Sequence, residues 1–216
     1  MDINNLVLPQ FIKQYYANYP QLTPIQEKAI QAGVLEQKSL LICAPTASGK
    51  TFVATMAIGK ALGEGKAIYL VPLKALAGEK YKEYSKLFAQ TSYKVIMSTG
   101  DIDSDSSYLG KYDLLILTVE KLDSLLRHPI PWLNTVKTII IDEIHLLNDP
   151  SRGPTLEIVI TLLKMLCNPQ LIGLSATIGN PKQLAAWLNA ELVIDHWRPV
   201  ELKQGVYYNG EATFYS

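Results

Sequence analysis

Residues 40–51 constrain the fold of this chain more than any other stretch. The stretch begins with an apolar run that is too short for a helix, continues through small residues and ends in Gly-Lys-Thr. The residues that follow have apolar positions at helical spacing, with Phe52, Met56 and Leu62 among them. The pattern therefore predicts a buried strand, a tight loop and a helix in direct succession.

The loop has the spacing of a phosphate-binding loop, with an alanine in place of the usual first glycine. Its residues are Ala44, Pro45, Thr46, Ala47, Ser48, Gly49, Lys50 and Thr51. Inward-pointing amides and a helix N-terminus hold a polyphosphate in such a loop. We expect Lys50 to reach the β and γ phosphates of ATP and the Thr51 hydroxyl to bind Mg²⁺. The alternative is a Gly-Lys-Thr turn without a ligand, and the predicted strand and helix on either side argue against it.

Composition limits the other possibilities. A chain of 216 residues with 48% apolar residues can form one large domain or two small ones. Lys plus Arg equal Asp plus Glu at 20 each, so nucleic-acid binding would depend on a few local contacts. Two isolated cysteines fit buried thiols in a reducing compartment. Neither a signal peptide nor an apolar run of about 20 residues is visible, so we expect a cytoplasmic protein without membrane contact.

Apolar strands alternate with helices along the whole chain. The predicted strands are 40–43, 67–71, 94–98, 114–117, 138–141, 171–174 and 192–194. The predicted helices are 11–19, 24–32, the one after the loop, 74–89, 120–127, 155–167 and 181–189, and residues 101–107 are predicted to form a polar loop. This alternation predicts an α/β fold with a mainly parallel sheet and helices on both faces. Ligands of such folds bind at the carboxyl ends of the strands, where every polar motif of this chain falls.

An apolar strand also delivers Asp142 and Glu143. We expect Asp142 to contact Mg²⁺ through water and Glu143 to orient and deprotonate the attacking water. Many strands end in acidic turns, so this pair alone is weak evidence. Together with the phosphate loop, it supplies the complementary part of one Mg-ATP site. His145 lacks a second His or Cys at ligand spacing, so a role in coupling is favoured over metal binding.

Gln26 is a candidate for adenine recognition, because its amide offers one donor and one acceptor. The alternative is an ordinary helix residue that faces solvent. Nearby aromatic side chains could stack on the base or lie in the core, and the sequence does not choose among Phe11, Tyr15, Tyr16 and Tyr19.

The ordered set of motifs resembles the superfamily-two helicases. Residues 44–51, 142–145 and 175–177 resemble motifs I, II and III, residues 72–77 resemble motif Ia, and residues 99–101 and 118–121 resemble two further nucleic-acid motifs. Gln26 lies where the adenine-reading glutamine of this family is expected. The Asp-Glu-Ile-His form and residues 152–154 and 178–181 resemble the Ski-like group. Residues 125–128 and 197–200 most resemble the archaeal Hjm-type DNA-repair helicases.

The resemblance implies a RecA-like P-loop domain of an ATP-dependent 3′-to-5′ DNA helicase that acts at stalled or damaged forks. Single-stranded or forked DNA would be held through its backbone by Pro72, Leu73, Lys74, Thr99, Gly100, Thr118 and Lys121. His145, Ser175 and Thr177 would couple the state of ATP to strand movement.

The resemblance also implies a domain plan. We expect a segment with the glutamine motif over residues 1–32, the ATP-binding domain over 33–200, and over 201–216 the start of a connection to a second RecA-like domain. That domain and accessory domains would belong to a longer parent chain, and these residues alone would be monomeric and inactive. No arginine after Thr177 resembles the catalytic arginine of the second domain, since Arg198 is expected in a strand segment.

Three alternatives stay open from the sequence. A Ski-like RNA helicase has the same motifs I to III. A P-loop hydrolase of another class, such as a kinase or a transport ATPase, would not need residues 72–77 and 118–121. A non-catalytic nucleotide-binding module would not need Lys50, Asp142 and Glu143 intact.

Overall fold

The computed structural model describes residues 1–100, 106–176, 178–201 and 203–215. The helices in this part of the chain are α1 Gln10–Tyr15, α2 Pro24–Gln31, α3 Lys50–Ala61, α4 Lys74–Leu87, α5 Val119–Leu126, α6 Gly153–Leu166 and α7 Pro181–Leu188. The strands are β1 Leu40–Cys43, β2 Lys66–Val71, β3 Val95–Ser98, β4 Leu114–Thr118, β5 Val136–Ile141, β6 Gln170–Ser175, β7 Glu191–Ile194, β8 Gln204–Tyr208 and β9 Glu211–Tyr215.

The first seven of these strands form one sheet within the described residues, in the order β3-β4-β2-β5-β6-β1-β7. All of their pairings are parallel. The strands β1, β4 and β6 lie inside the sheet and are buried along their entire length, which explains why they read as continuous apolar runs. The predicted parallel α/β sheet is confirmed.

Successive residues of each strand point to opposite faces of the sheet, and a separate apolar core lies on each face. Leu40 and Ile42 join the core under α1 to α4, whereas Leu41 and Cys43 join the core under α5 to α7. Helices therefore cover both faces, as the sequence predicted. Trp132 is buried, whereas Trp187 is only partly buried and packs at the edge of its core.

The N-terminal residues belong to the same core as the sheet. Ile3, Ile12 and Ile25 are each 1% exposed and pack in the core on the α3 face. Residues 1–32 thus form one packed unit with the residues that follow. That a segment with the glutamine motif ends at residue 32 stays a prediction.

The hairpin of β8 and β9 is a strand pair that the sequence analysis missed. Its turn residues Asn209 and Gly210 have φ of 53° and 88°. Asn-Gly is the preferred pair for such a two-residue hairpin turn, because both positions need positive φ. The Asn-Gly pair between two apolar stretches was the signal that could have revealed it.

The structure differs from the sequence-based expectation at Arg198, and it describes little of residues 101–107. The expectation that Arg198 lies in a strand segment is wrong, because β7 ends at Ile194 and β8 begins at Gln204. Most of the predicted loop 101–107 lies outside the described residues. None of the helices in the described part of the chain combines the length and the apolar character that crossing a bilayer requires.

Candidate functional site: a divided sheet edge

The strand order divides the carboxyl edge of the sheet into two halves. On one half, β3, β4 and β2 are neighbours, and they lead into Thr99, Thr118 and Pro72. On the other half, β5, β6 and β1 are neighbours, and they lead to Asp142, Ser175 and the loop that starts at Ala44. The candidate DNA contacts are thus grouped apart from the candidate ATP contacts, and the two groups meet between β2 and β5.

The loop between β1 and α3 has the backbone of a tight cradle. Ala47 and Gly49 have φ of 63° and 101°, in the left-handed region that favours glycine. A Cβ atom at Gly49 would lie 2.3 Å from Gln26 Nε2, so this position requires glycine. The Ser48 hydroxyl is buried and has no hydrogen-bond partner. A buried hydroxyl without a partner is costly, and a phosphate oxygen would satisfy it.

Lys50 lies over the loop and donates to the carbonyl oxygens of Ala44 at 2.6 Å and Pro45 at 2.9 Å. Burial lowers the pKa of its amine, whereas the carboxylates of Glu143 and Asp142 act in the opposite direction. Those carboxylates are therefore close enough for their charges to act on Lys50. The structure brings the two predicted halves of the ATP site together.

Both oxygens of Asp142 are held by neighbours. Oδ1 accepts a hydrogen bond from the backbone N–H of Glu143 at 3.0 Å, and Oδ2 accepts one from the Tyr69 hydroxyl at 3.0 Å. Tyr69 is fully buried, and burial, followed by the Asp142 charge, raises its pKa well above the usual range. The hydroxyl therefore stays protonated and remains a donor to Asp142. An orienting partner behind a metal-binding carboxylate is a common feature of metal sites.

A chain of polar contacts links the end of β5 to the end of β6. His145 Nδ1 lies 3.3 Å from Glu143 Oε2 and 3.4 Å from the Ser175 hydroxyl, which is buried. His145 and Ser175, both predicted to act in coupling, are thus neighbours, and Glu143 joins them. The third coupling candidate, Thr177, lies outside the described residues.

Gln26 is bound to the phosphate loop itself. Its Nε2 donates to the Gly49 carbonyl at 3.1 Å, and its Oε1 accepts from the Thr23 backbone N–H at 2.9 Å. The Thr23 hydroxyl donates to the Ser48 carbonyl at 2.8 Å. The start of α2 therefore supports the loop. Gln26 is buried, which rules out the solvent-facing alternative, and one N–H and one lone pair of its amide remain for a base.

A cavity of about 360 Å³ opens beside Gln26. Tyr16 and Tyr19 line it together with Phe52 and Glu83. Burial raises the pKa of Tyr16 to about 12. Phe11 instead packs against Phe88 in the core, and Tyr15 lines a separate groove beside α4. The structure thus leaves Tyr16 and Tyr19 as the stacking candidates nearest to Gln26.

The other half of the edge offers backbone groups and a few exposed side chains. Leu73 and Lys74 are exposed where α4 begins, and Gly100 has φ of 117° after β3. Pro72, Thr118 and Lys121 are buried. The Thr118 hydroxyl accepts a hydrogen bond from the Lys121 backbone N–H at 3.3 Å and so caps α5. DNA binding by Thr118 and Lys121 stays a prediction. Because both residues are buried, we expect their backbone groups rather than their side chains to contact DNA.

The residues around the site fit Mg-ATP. An unpartnered buried hydroxyl, a lysine, a threonine hydroxyl and two carboxylates meet at one strand edge. No group of three His, Cys, Asp or Glu side chains that could hold a metal ion occurs in the part of the chain that the structure describes. Mg²⁺ prefers one or two protein ligands plus phosphate oxygens, which this donor set supplies through Thr51 and Asp142.

The sequence profile of the DEAD/DEAH box helicases matches residues 23–184, which include the loop, the acidic pair and Ser175. The chain belongs to this family. The family assignment and the sheet confirm the predicted RecA-like helicase domain. Proteins described as ATP-dependent DNA helicase Hel308 are similar to the chain. Identity is 55% for that of Pyrococcus abyssi and 52% for that of Methanocaldococcus jannaschii, over 97% and 90% of this chain.

The chain spans 30% of the length of the first of these proteins and 17% of the second. The crystal structure of the DUF1998 helicase MrfA has a TM-score of 0.76 and 28% identity over 88% of this chain and 33% of that chain. MrfA bound to DNA has a TM-score of 0.72 and 27% identity. The predicted resemblance to the archaeal Hjm-type helicases is confirmed.

Three residues beside the site were not predicted from the sequence to contact it. Tyr69 lies inside an apolar strand and reads as core, yet its hydroxyl contacts Asp142. Lys80 and Glu83 are ordinary charges of α4 by pattern, yet their side chains pair at 2.9 Å next to Thr51. Only the spacing of these two residues, three apart on one helix face, could have indicated that they pair.

Proposed function

We propose that this chain is the ATP-binding motor domain of a 3′-to-5′ DNA helicase that acts on single-stranded or forked DNA at stalled or damaged replication forks. The observation that carries the proposal is the divided edge, where the ATP half and the backbone-binding half of one sheet meet between β2 and β5. The similarity to proteins described as ATP-dependent DNA helicases supports DNA as the substrate.

In this proposal, Mg-ATP lies along the loop from Ala44 to Thr51. The loop amides and Lys50 bind the phosphates, and Ser48 donates to one of their oxygens. Thr51, and Asp142 through water, would hold Mg²⁺, which would neutralise charge that develops on the transferred phosphate. Gln26 contacts the base, while Tyr16 or Tyr19 stacks on it.

Glu143 orients the attacking water and accepts its proton. Its carboxylate lies beside His145, which lies beside Ser175, so a change at the γ-phosphate position reaches the end of β6 through two contacts. We propose that this chain of contacts couples hydrolysis to strand movement. Thr177 follows two residues after Ser175 and would take part in the same coupling. A second RecA-like domain of a longer parent chain would close the site.

Binding of fluorescent ADP to the 216-residue chain tests the nucleotide site. We expect Lys50→Ala to weaken binding at least tenfold, because the amine faces the loop that holds the phosphates. Lys82→Ala is the matched control, since Lys82 is exposed on α4. Equal binding by both variants would show that the nucleotide lies elsewhere.

Unwinding by the longer protein that contains this chain tests the substrate. DNA and RNA duplexes with either a 3′ or a 5′ single-stranded tail should be compared in one assay. We expect unwinding of the 3′-tailed DNA, and none by Lys50→Ala. Preferential unwinding of tailed RNA would favour the RNA-helicase alternative, and 5′-tail dependence would contradict the proposed polarity.

A further inference from the structure

Lys80 is a buried charge that the proposed mechanism does not use. Lys80 is only 7% exposed, and a lysine is rarely buried to this extent unless its charge is paired. The ammonium lies 2.9 Å from Glu83 Oε2, 3.4 Å from the Thr51 hydroxyl and 5.8 Å from the centre of the Tyr69 ring. These contacts fix the position of the ammonium, because the carboxylate and the ring hold it on two sides.

Two of these three neighbours, Thr51 and Tyr69, lead to the proposed Mg²⁺ site. Thr51 is the hydroxyl ligand in the first turn of α3. Tyr69 lies under the ammonium and donates to Asp142 Oδ2 at 3.0 Å. Since Lys80 already contacts the Thr51 hydroxyl, a cation bound to that hydroxyl would lie next to a second, fixed positive charge.

Two positive charges a few ångströms apart repel, and the repulsion is stronger in a partly buried site than in water. The same ammonium attracts the negative phosphates of the nucleotide. Glu83 reduces both effects without removing them, because its carboxylate lies on one side of the ammonium. Lys80 should therefore disfavour the metal relative to the nucleotide.

We propose that Lys80 limits the affinity of this site for Mg²⁺ and so speeds the release of Mg-ADP. This inference rests on the proposed nucleotide site. It concerns the release of Mg-ADP, a step that the other residues of the site do not explain. Product release often limits the turnover of well-evolved enzymes, so a fixed charge that loosens the metal would raise the cycling rate.

The test measures the affinity of the 216-residue chain for fluorescent ADP in Mg²⁺ and in EDTA. The ratio of the two dissociation constants reports how much the metal strengthens binding. We expect Lys80→Met to raise this ratio about three- to tenfold, because a like charge near the ion is gone. Relative to dissociation in EDTA, dissociation of the labelled ADP in Mg²⁺ should slow by a similar factor. Lys80→Arg keeps the charge and should retain the wild-type ratio.

Lys82→Met is the control, because it removes a lysine from the exposed face of the same helix. A merely structural role of Lys80 would weaken binding equally with and without Mg²⁺, and an unchanged ratio would overturn the proposal. A lower ratio would overturn it too, because Lys80 would then favour the metal. If Lys80→Met does not fold, Lys80→Gln keeps a donor without the charge and should raise the ratio in the same way.

Lys50→Ala separates the two proposals. Loss of ADP binding in this variant together with an unchanged ratio in Lys80→Met would overturn the role of Lys80 alone. Intact ADP binding in Lys50→Ala would overturn the nucleotide site and the role of Lys80 with it.

Discussion

At the scale of single residues, Glu143 has a conformation that non-glycine residues rarely adopt. Its φ is 51° and its ψ is 42°, in the left-handed region. This conformation lets its backbone N–H bond Asp142 while its carboxylate lies beside His145. Residues held in rare backbone conformations cluster at functional sites, which agrees with the proposed catalytic role.

We expect Glu143→Gln to retain ATP binding and to lose most of the DNA-stimulated turnover of the longer protein. The amide keeps the shape of the side chain but cannot accept the proton, and general base catalysis contributes about 10²- to 10⁴-fold. Steady-state phosphate release and a nucleotide-binding titration measure the two effects separately. Turnover equal to that of the wild type would assign the base to another residue.

Gly49 gives a second prediction at this scale. Gly49→Ala places a side chain at φ 101° and against Gln26, so we expect a loss of about 1–3 kcal/mol in unfolding free energy. ADP binding should weaken as well, because the loop must move. Gly78→Ala is the control, since Gly78 lies in α4 with nothing within 4 Å of a new Cβ and should be neutral or stabilising. Urea denaturation of both variants measures the difference.

At the scale of elements, the segment from β2 to α4 serves both halves of the edge. Its middle carries the exposed Leu73 and Lys74, which are candidate DNA contacts. Its two flanks carry Tyr69 and Lys80, which contact Asp142 and Thr51 in the ATP half. A movement of this segment on DNA binding would therefore reach the proposed metal ligands directly.

We expect weak binding of single-stranded DNA by the chain, with little dependence on base sequence. The candidate contacts are loop backbone and one exposed lysine, which hold phosphates without reading bases. The affinity should fall with added salt, and Lys74→Ala should reduce the slope of log affinity against log salt by about one unit, whereas Lys82→Ala should leave it unchanged. Fluorescence anisotropy measures both quantities. A strong preference for one base sequence would contradict backbone binding.

At the scale of the whole molecule, the positions of the arginines bear on catalysis. Arg127 pairs with Asp123 at 2.6 Å, and Arg152 precedes α6. Arg198 is exposed, and burial, followed by the charge of Arg198, lowers the pKa of Lys50. Asp195 anchors the chain just before Arg198. Its backbone N–H donates a hydrogen bond to the Cys43 carbonyl, and its carboxylate lies 2.7 Å from the Lys28 ammonium.

We expect the 216-residue chain to bind nucleotide and to hydrolyse ATP close to the background rate. An arginine that stabilises the transferred phosphate is worth about 10³- to 10⁵-fold, and no arginine of the described residues is held in contact with the loop. A steady-state ATPase assay with and without single-stranded DNA measures this. If turnover is robust, Arg198→Ala tests whether the exposed Arg198, four residues after the end of β7, supplies this arginine. Robust turnover that survives this substitution would contradict the two-domain motor.

The local elements and the chemical groups of this protein were predictable from its amino-acid sequence. Apolar runs of strand length, helical periodicities and Gly-Lys-Thr are local patterns, so the parallel sheet, the phosphate loop and the acidic strand end were all predictable. The helix boundaries shifted by a few residues, since helix ends depend on caps and neighbours. The β8–β9 hairpin was missed although its Asn-Gly turn was visible.

Which strand lies beside which depends on the packing of whole elements and was not predictable from the sequence. The order β3-β4-β2-β5-β6-β1-β7 sorts the motifs into a half with the candidate DNA contacts and a half with the candidate ATP contacts, and no local pattern encodes it. The order also brings Tyr69 to Asp142, 73 positions along the chain, and α4 brings Lys80 to Thr51, 29 positions back. Such contacts depend on how whole elements pack, because a buried tyrosine or lysine shows its partner only once the strands and helices are in place.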